Sequence, residues 1–327
     1  MGHRAPLCIF LIVMCLCVMS AGCARDTAFS PSNTGLPYVR VLGNAQDAGF
    51  PQIGASHPRA MAAWNDPSKR RYATSILIAD PKSGKRWLID ATPDIREQTE
   101  LARSDPPTRK AQSGRPPLFD RVFLTHAHMG HYAGLLQFGR EAYGAAKQPV
   151  YGSSRMVEFL RTNEPWHLLV ELNHIALTTV EPGKPIALTD SISIEAFTVP
   201  HRAEFTDTYG YLIRGPTRSV LFIPDIDKWD RWDTRIEDMI KDVDVALLDG
   251  TFYADGEIPG RSMADIPHPF IQESIARFDT LPDRVRTRIR FIHLNHTNPA
   301  IDPDSSERRM IERAGYHVAE QGEIHSL

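Results

Sequence analysis

Beyond residue 23 the chain has no cysteine: all four (Cys8, Cys15, Cys17 and Cys23) lie in the N-terminal segment. The rest of the protein therefore has no disulfide, no cysteine nucleophile and no thiolate ligand, and any metal it holds must be bound through nitrogen and oxygen. A surplus of one charge is also lacking. With 37 Lys plus Arg against 40 Asp plus Glu the formal net charge is −3, which offers neither a basic face for nucleic acid nor an acidic tail. No Gly-x-Ser-x-Gly elbow occurs, so serine hydrolysis is not a serious competitor. The glycine-bearing loop at 43–52 lacks the spacing of a dinucleotide or phosphate loop and reads as a tight turn. Neither a short-period repeat nor a break in composition divides the chain, which implies one domain over residues 38–327.

Long apolar runs are equally scarce. One, at residues 7–19, follows His3 and Arg4 and ends in Ser20-Ala21-Gly22-Cys23. It is shorter than the roughly 18–20 residues that span a bilayer and closes on small residues, so residues 1–22 read as an export signal. The small-small-Cys ending resembles a bacterial lipoprotein signal. That resemblance implies lipidation of Cys23, a polar linker over 23–37 and a place in the cell envelope, on the periplasmic face of the outer membrane. Cleavage after Ala24, giving a free periplasmic protein, and a retained anchor helix are the alternatives.

What is present is histidine. His126, His128 and His131 fall within Phe123-Leu124-Thr125-His126-Ala127-His128-Met129-Gly130-His131. The segment 122–124 reads as the end of a buried strand, and on an extended chain His126 and His128 point the same way. His131 begins the next element, helical over 132–138 and on to about 146. Three imidazoles so placed can converge on one metal ion, zinc first but iron, nickel or copper as well.

Further strands are expected at 38–42, 75–79, 87–89, 149–151, 193–199, 209–214, 219–223, 243–248 and 288–292, with helices at 93–102, 154–161, 229–240, 270–278 and 305–314. Hairpins and strand–helix alternation in both halves suggest two mixed sheets packed face to face with helices outside. Several strands stop on a polar residue: His201, Asp225 with Asp227 close behind, Asp249, and His293 followed by His296. Singly, each has a plain structural reading as a turn cap or a hydrogen-bonded histidine. Together they point to a site, because ending buried strands on such groups costs desolvation unless something pairs with them. Asp47 and His57 are polar residues near the 43–52 loop that could face it.

In this order, His126, His128, His131, His201, Asp225 and His293 resemble the ligand set of the metallo-β-lactamase superfamily. Within it the chain is most similar to the pyrroloquinoline quinone biosynthesis protein B family, through Val41-Leu42-Gly43, Gly49-Phe50-Pro51-Gln52, Asp90-Ala91-Thr92-Pro93-Asp94-Ile95-Arg96, Leu248-Asp249-Gly250-Thr251 and Ile292-His293-Leu294-Asn295-His296-Thr297-Asn298-Pro299. The resemblance implies an α/β (α+β) fold, a four-layer αββα sandwich of two mixed β-sheets with the metal at one edge. It also shows departures. The cysteine-rich knuckle of that family is absent at Ile53-Gly54-Ala55-Ser56-His57, the full histidine cluster is kept, and Gly130 stands where the superfamily motif His-x-His-x-Asp-His has Asp.

The resemblance therefore implies one strong zinc position at His126, His128 and His201 with Asp225 shared. A second, weaker one would use His131, Asp225 and His293, with manganese or iron possible in either. The expected function is hydrolysis of a phosphodiester, ester or lactone by metal-activated water, with Asp225 and His268 as catalytic residues and His268 as general acid. A small-molecule substrate is expected, and no nucleic-acid partner. The alternatives are a metal-dependent oxidative enzyme and a non-catalytic binding or carrier protein on the same fold. Arg202 and Arg261 could hold an anionic group, although solvated surface arginines are commoner.

Overall fold

A computed structural model describes residues 1–2, 35–105, 115–258, 260 and 262–327; Cys23, the export segment and Arg261 lie outside the described residues. Among the described residues fourteen strands form two seven-stranded sheets. The first takes β1 (Tyr38–Gly43), β2 (Ser75–Asp80), β3 (Lys85–Ile89), β4 (Arg121–Phe123), β5 (Gln148–Gly152), β6 (Ile175–Thr179) and the C-terminal β14 (Ile324–Ser326), in the order β14-β1-β2-β3-β4-β5-β6. The second takes β7 (Ile186–Ala187), β8 (Ser193–Val199), β9 (Thr208–Arg214), β10 (Ser219–Ile223), β11 (Val245–Asp249), β12 (Ile289–Ile292) and β13 (His317–Val318), in the order β13-β12-β11-β10-β9-β8-β7. Both are mixed: β3 to β6 run parallel and β14-β1-β2-β3 antiparallel, while β10 to β13 run parallel and β7 to β10 antiparallel.

The period-two alternation of strand side chains sorts them into layers. In β1, Val39 and Val41 face the interior between the sheets, where they meet Tyr211, Val220 and Phe222 of the second sheet. Tyr38 and Leu42 face outward, onto helices Ile95–Leu101 and Ser154–Thr162 and the 3-10 turn Ala133–Phe138. Leu221 and Ile223 of β10 likewise face outward, onto helices Ile236–Lys241, Ile271–Phe278 and Ser306–Arg313. The result is the αββα sandwich. A buried ion pair closes one flank, Arg40 Nε lying 2.7 Å from Asp105 Oδ2 with the Tyr38 hydroxyl donating to Asp105 at 2.6 Å.

Two expected helices are broken. The element after His131 is a single helical turn (Met129–Tyr132) running into the 3-10 turn that stops at Phe138. Gly139 is extended there and Gly144 takes a φ of +62°, neither compatible with a continuing helix. The 229–240 segment divides into a 3-10 turn, Trp229–Arg231, and the helix Ile236–Lys241; the Trp229 indole donates to Ser274 at 2.9 Å, which anchors the first piece separately. Strands β6, β7, β13 and β14 are short or edge elements with too little alternation to be expected. Among the described residues no helix is long and apolar enough to cross a membrane.

Candidate metal centre

Strand direction builds the site. β1, β3, β4, β8, β10, β11 and β12 all end at one edge of the sandwich, since each is parallel to its neighbour or separated from it by one antiparallel strand. The residues that follow those ends are Asp47, Asp90, Thr125 with His126 and His128, His201, Asp225, Thr251 and His293. Asp90 and His293 take φ values of +69° and +66°, turning the chain sharply out of its strand.

Two groups of donors meet at Asp225, which is 2% exposed. The first comprises His126, His128, His201 and Asp225, and the second Asp47, His131 and His293; within each, one donor atom per residue lies within 4.8 Å of the others. Asp225 Oδ2 is 3.3 Å from His126 Nε2, 3.8 Å from His131 Nε2 and 4.0 Å from His293 Nε2, while Oδ1 is 3.2 Å from His201 Nε2. Asp47 Oδ1 lies 3.5 Å from His131 Nε2 and 3.9 Å from His293 Nε2.

The outward nitrogens of four of these rings are committed elsewhere, which sets their tautomers. Thr125 Oγ1 donates to Asp90 and so can accept from His126 Nδ1 at 3.0 Å. Thr251 Oγ1 donates to Asp249 at 2.7 Å and accepts from His293 Nδ1 at 3.0 Å. His131 Nδ1 donates to Asp90 at 2.7 Å, His201 Nδ1 faces Asp227 at 3.3 Å, and His128 Nε2 donates to Glu204 at 3.1 Å. The rings of His126, His128, His131 and His293 therefore turn a lone pair inward, while both nitrogens of His201 are shielded from solvent without a hydrogen bond. His131 Nε2, His201 Nε2, His293 Nε2, Asp47 Oδ1 and Asp225 Oδ1 are shielded from solvent and make no hydrogen bond. His126 Nε2 and His128 Nδ1 stand only 2.8 Å apart. Buried lone pairs converging without a donor are what a divalent cation satisfies, so the residues fit a zinc-type N/O site.

The electrostatics agree. Burial would raise the Asp225 carboxyl, but His201, His268 and His293 hold it well below the usual carboxylate range. Burial, followed by His131, pushes His126 well down. Against their burial, Asp90 and Asp47 raise His131 well above its ordinary value, and Asp225 and Asp227 raise His201 to about 10. An added proton on Nε2 and a metal ion are competing ways to neutralise the same carboxylates. His268, 4% exposed, lies beside both groups with Nδ1 2.8 Å from Asp249 Oδ2 and 3.2 Å from Asp225 Oδ1. Burial opposes its protonation, yet the two carboxylates raise it.

His126, His128, His131, His201, Asp225, His268 and His293 thus come together at this edge, and of the pair His293 and His296 it is His293 that faces the donors. His296 stacks on His57 at a centroid separation of 5.6 Å, and His57 Nδ1 caps the helix Pro58–Asn65 at 3.3 Å from Ala60 N. Arg202 is exposed and lies 3.7 Å from Glu204. One expectation is corrected. Although Gly130 stands where a carboxylate was expected, the loop after β1 brings the carboxylate of Asp47 beside His131 and His293. Asp90, Thr125 and Thr251 orient the rings; Asp90 and Thr251 lie in the family-matching stretches, and Thr125 directly precedes His126.

A model described as the beta-lactamase superfamily domain matches residues 85–294. Coenzyme PQQ synthesis protein B of Methylobacterium sp. strain 4-46 is 27% identical over 306 residues, covering 86% of this chain and 97% of the relative. The same-named protein of Methylorubrum extorquens strain PA1 is 29% identical over 314 residues, covering 87% and 98%. Among solved structures, zinc-bound PqqB from Methylobacterium extorquens superposes with a TM-score of 0.73 at 23% identity, covering 89% of this chain and 100% of that one. A diphosphatase of the PhnP family superposes with a TM-score of 0.60 at 21% identity, covering 89% and 97%.

Proposed function

Since the chain belongs to the beta-lactamase superfamily, we propose that it is a metal-dependent hydrolase acting on a phosphodiester, ester or lactone of a small molecule. One observation carries the reading: Asp225 lies within 4.0 Å of histidine nitrogens in both donor groups, and a histidine held by Asp249 stands beside it. His126, His128, His201 and Asp225 would hold one divalent ion, zinc first, and His131, His293 and Asp225 would contribute to a second. When bound, such an ion lowers the pKa of a water toward neutrality and polarises a substrate oxygen.

The chain's own residues supply the rest. Asp225 turns Oδ2 toward His126, His131 and His293 and Oδ1 toward His201 and His268, and so balances the histidine cluster. Asp249 accepts the Nδ1 proton of His268, which fixes that ring and leaves Nε2 to deliver a proton to the leaving group. Asp90, Thr125 and Thr251 hold the ligand rings in the tautomers that turn lone pairs inward.

A second reading, an oxidative metalloenzyme on the same fold, rests on the similarity to the coenzyme PQQ synthesis proteins. Elemental analysis of the purified protein, with turnover of bis(p-nitrophenyl) phosphate and aryl esters, separates the two. Zinc or manganese at one to two equivalents with turnover supports hydrolysis, and His128→Ala should then lower metal and turnover together. Stoichiometric iron without hydrolytic turnover puts the oxidative reading first. Metal occupancy unchanged in His128→Ala overturns the site.

A further inference from the structure

The loop after β1 carries the least expected member of the site. Asp47 is partly exposed as a residue, yet its Oδ1 is shielded from solvent, makes no hydrogen bond and lies 3.5 Å from His131 Nε2 and 3.9 Å from His293 Nε2. Both of those nitrogens are themselves buried and unpartnered, on rings 1% and 0% exposed. Their opposite nitrogens are taken by Asp90 and Thr251, so a carboxylate oxygen and two lone pairs face one another. With no proton between them that arrangement is repulsive.

We propose that Asp47 is the terminal carboxylate ligand of a second divalent-metal position completed by His131, His293 and the shared Asp225, and that Gly130 is what admits it. This rests on the metal-dependent reading above. A Cβ at residue 130 would lie 2.2 Å from Asp47 Oδ1 and 2.3 Å from Asp47 Cα, so the obstruction involves backbone and cannot be relieved by a side-chain rotation. The loop has little freedom to withdraw. Gln46 N donates to Leu294 O at 2.8 Å, Leu294 N donates to Asn44 O at 2.8 Å, and Ala45 N donates to Tyr72 O at 3.0 Å. The first two of these bonds stitch the loop to the residue following His293, so Asp47 is delivered to the same place as that residue. A side chain at 130 and a ligand at 47 are mutually exclusive uses of one volume.

The competing arrangement is a doubly protonated His131 clasped between Asp90 and Asp47 with no ion. The full-length protein, stripped with chelator and reconstituted with Zn²⁺ or Co²⁺, distinguishes them by equivalents bound and by the cobalt absorption spectrum. Wild type should bind two equivalents. Asp47→Asn, close to isosteric, should keep the first and weaken the second by about 100-fold, a loss at least as large as that from removing an outer-shell partner. Gly130→Ala should do the same by displacing the loop, and the double variant should be no worse than either alone, because both changes remove one interaction. Circular dichroism and melting of each variant check that the fold persists. Two ions held at wild-type affinity by Asp47→Asn overturn the proposal and leave the hydrolase reading standing, as does a single wild-type ion that Asp47→Asn does not disturb. No ion bound by wild type removes both.

Discussion

Asp47 and Gly130 compete for the same space: a Cβ on residue 130 would come within 2.3 Å of the Asp47 Cα. The two residues are 83 positions apart in sequence (130 minus 47), yet the backbone of one sets the only side chain the other can carry. The glycine in the histidine cluster is thus a point of close approach, and the carboxylate on the neighbouring loop stands in the room it leaves.

Outer-shell partners should matter nearly as much as the ligands. Asp90 holds His131 at 2.7 Å and Thr251 holds His293 at 3.0 Å. Thr251→Val keeps the shape and removes the acceptor, so metal affinity should fall by about 10–100-fold. Competition with a fluorescent chelator measures it. Undiminished affinity would mean that the ring is oriented by packing alone.

His268 should separate chemistry from metal binding. His268→Gln is expected to lower turnover by about 10²–10⁴-fold with metal content unchanged. The loss should be smallest for p-nitrophenolate, a leaving group that needs little protonation. A parallel loss of metal would make His268 a ligand in place of a proton donor.

Glu257 gives the fold a pH signature away from the metal donors. It accepts from Tyr253 N at 2.7 Å and Thr297 Oγ1 at 2.6 Å, and burial pushes its carboxyl from 4.5 up to about 7. A raised carboxyl favours the folded state in its protonated form. That contribution is complete below pH 4.5 and is lost as pH rises through about 7. Glu257→Gln should therefore gain on wild type from pH 5 to pH 8 by up to about 3 kcal/mol. Denaturant melts across that range check it, and a constant difference would place the carboxylate in solvent.

We propose that the chain is exported and lipidated at Cys23, a reading that rests on the sequence of residues 1–23. Cys23→Ala should move the protein from the membrane to the soluble fraction. Fractionation identical to wild type would dismiss the anchor.

Much of this protein is local information. Segments of five to seven residues announce strands in consecutive side chains, 193–199 by alternation and 219–223 as a short continuous apolar run, and the observed β8 and β10 match them. Stopping such strands on His201, Asp225 and His293 flagged the site, since a buried polar terminus needs a partner wherever it goes. The edge strands were not legible: β7 and β13 have two residues each and β14 three, too few to show any period, and they exist because a neighbouring strand offers free backbone groups. The helices expected at 132–146 and 229–240 break for two different reasons, the backbone of Gly139 and Gly144 in the first and the Trp229–Ser274 bond in the second.

By itself, then, the sequence determined the chemistry available, a nitrogen and oxygen donor set without thiolate, and the strands that deliver it to one edge. Only the tertiary structure decided which nitrogen of the ligand rings faces inward and that Asp47 Oδ1 lies beside His131 and His293. Those are distances between residues remote in the chain, and no local period encodes them.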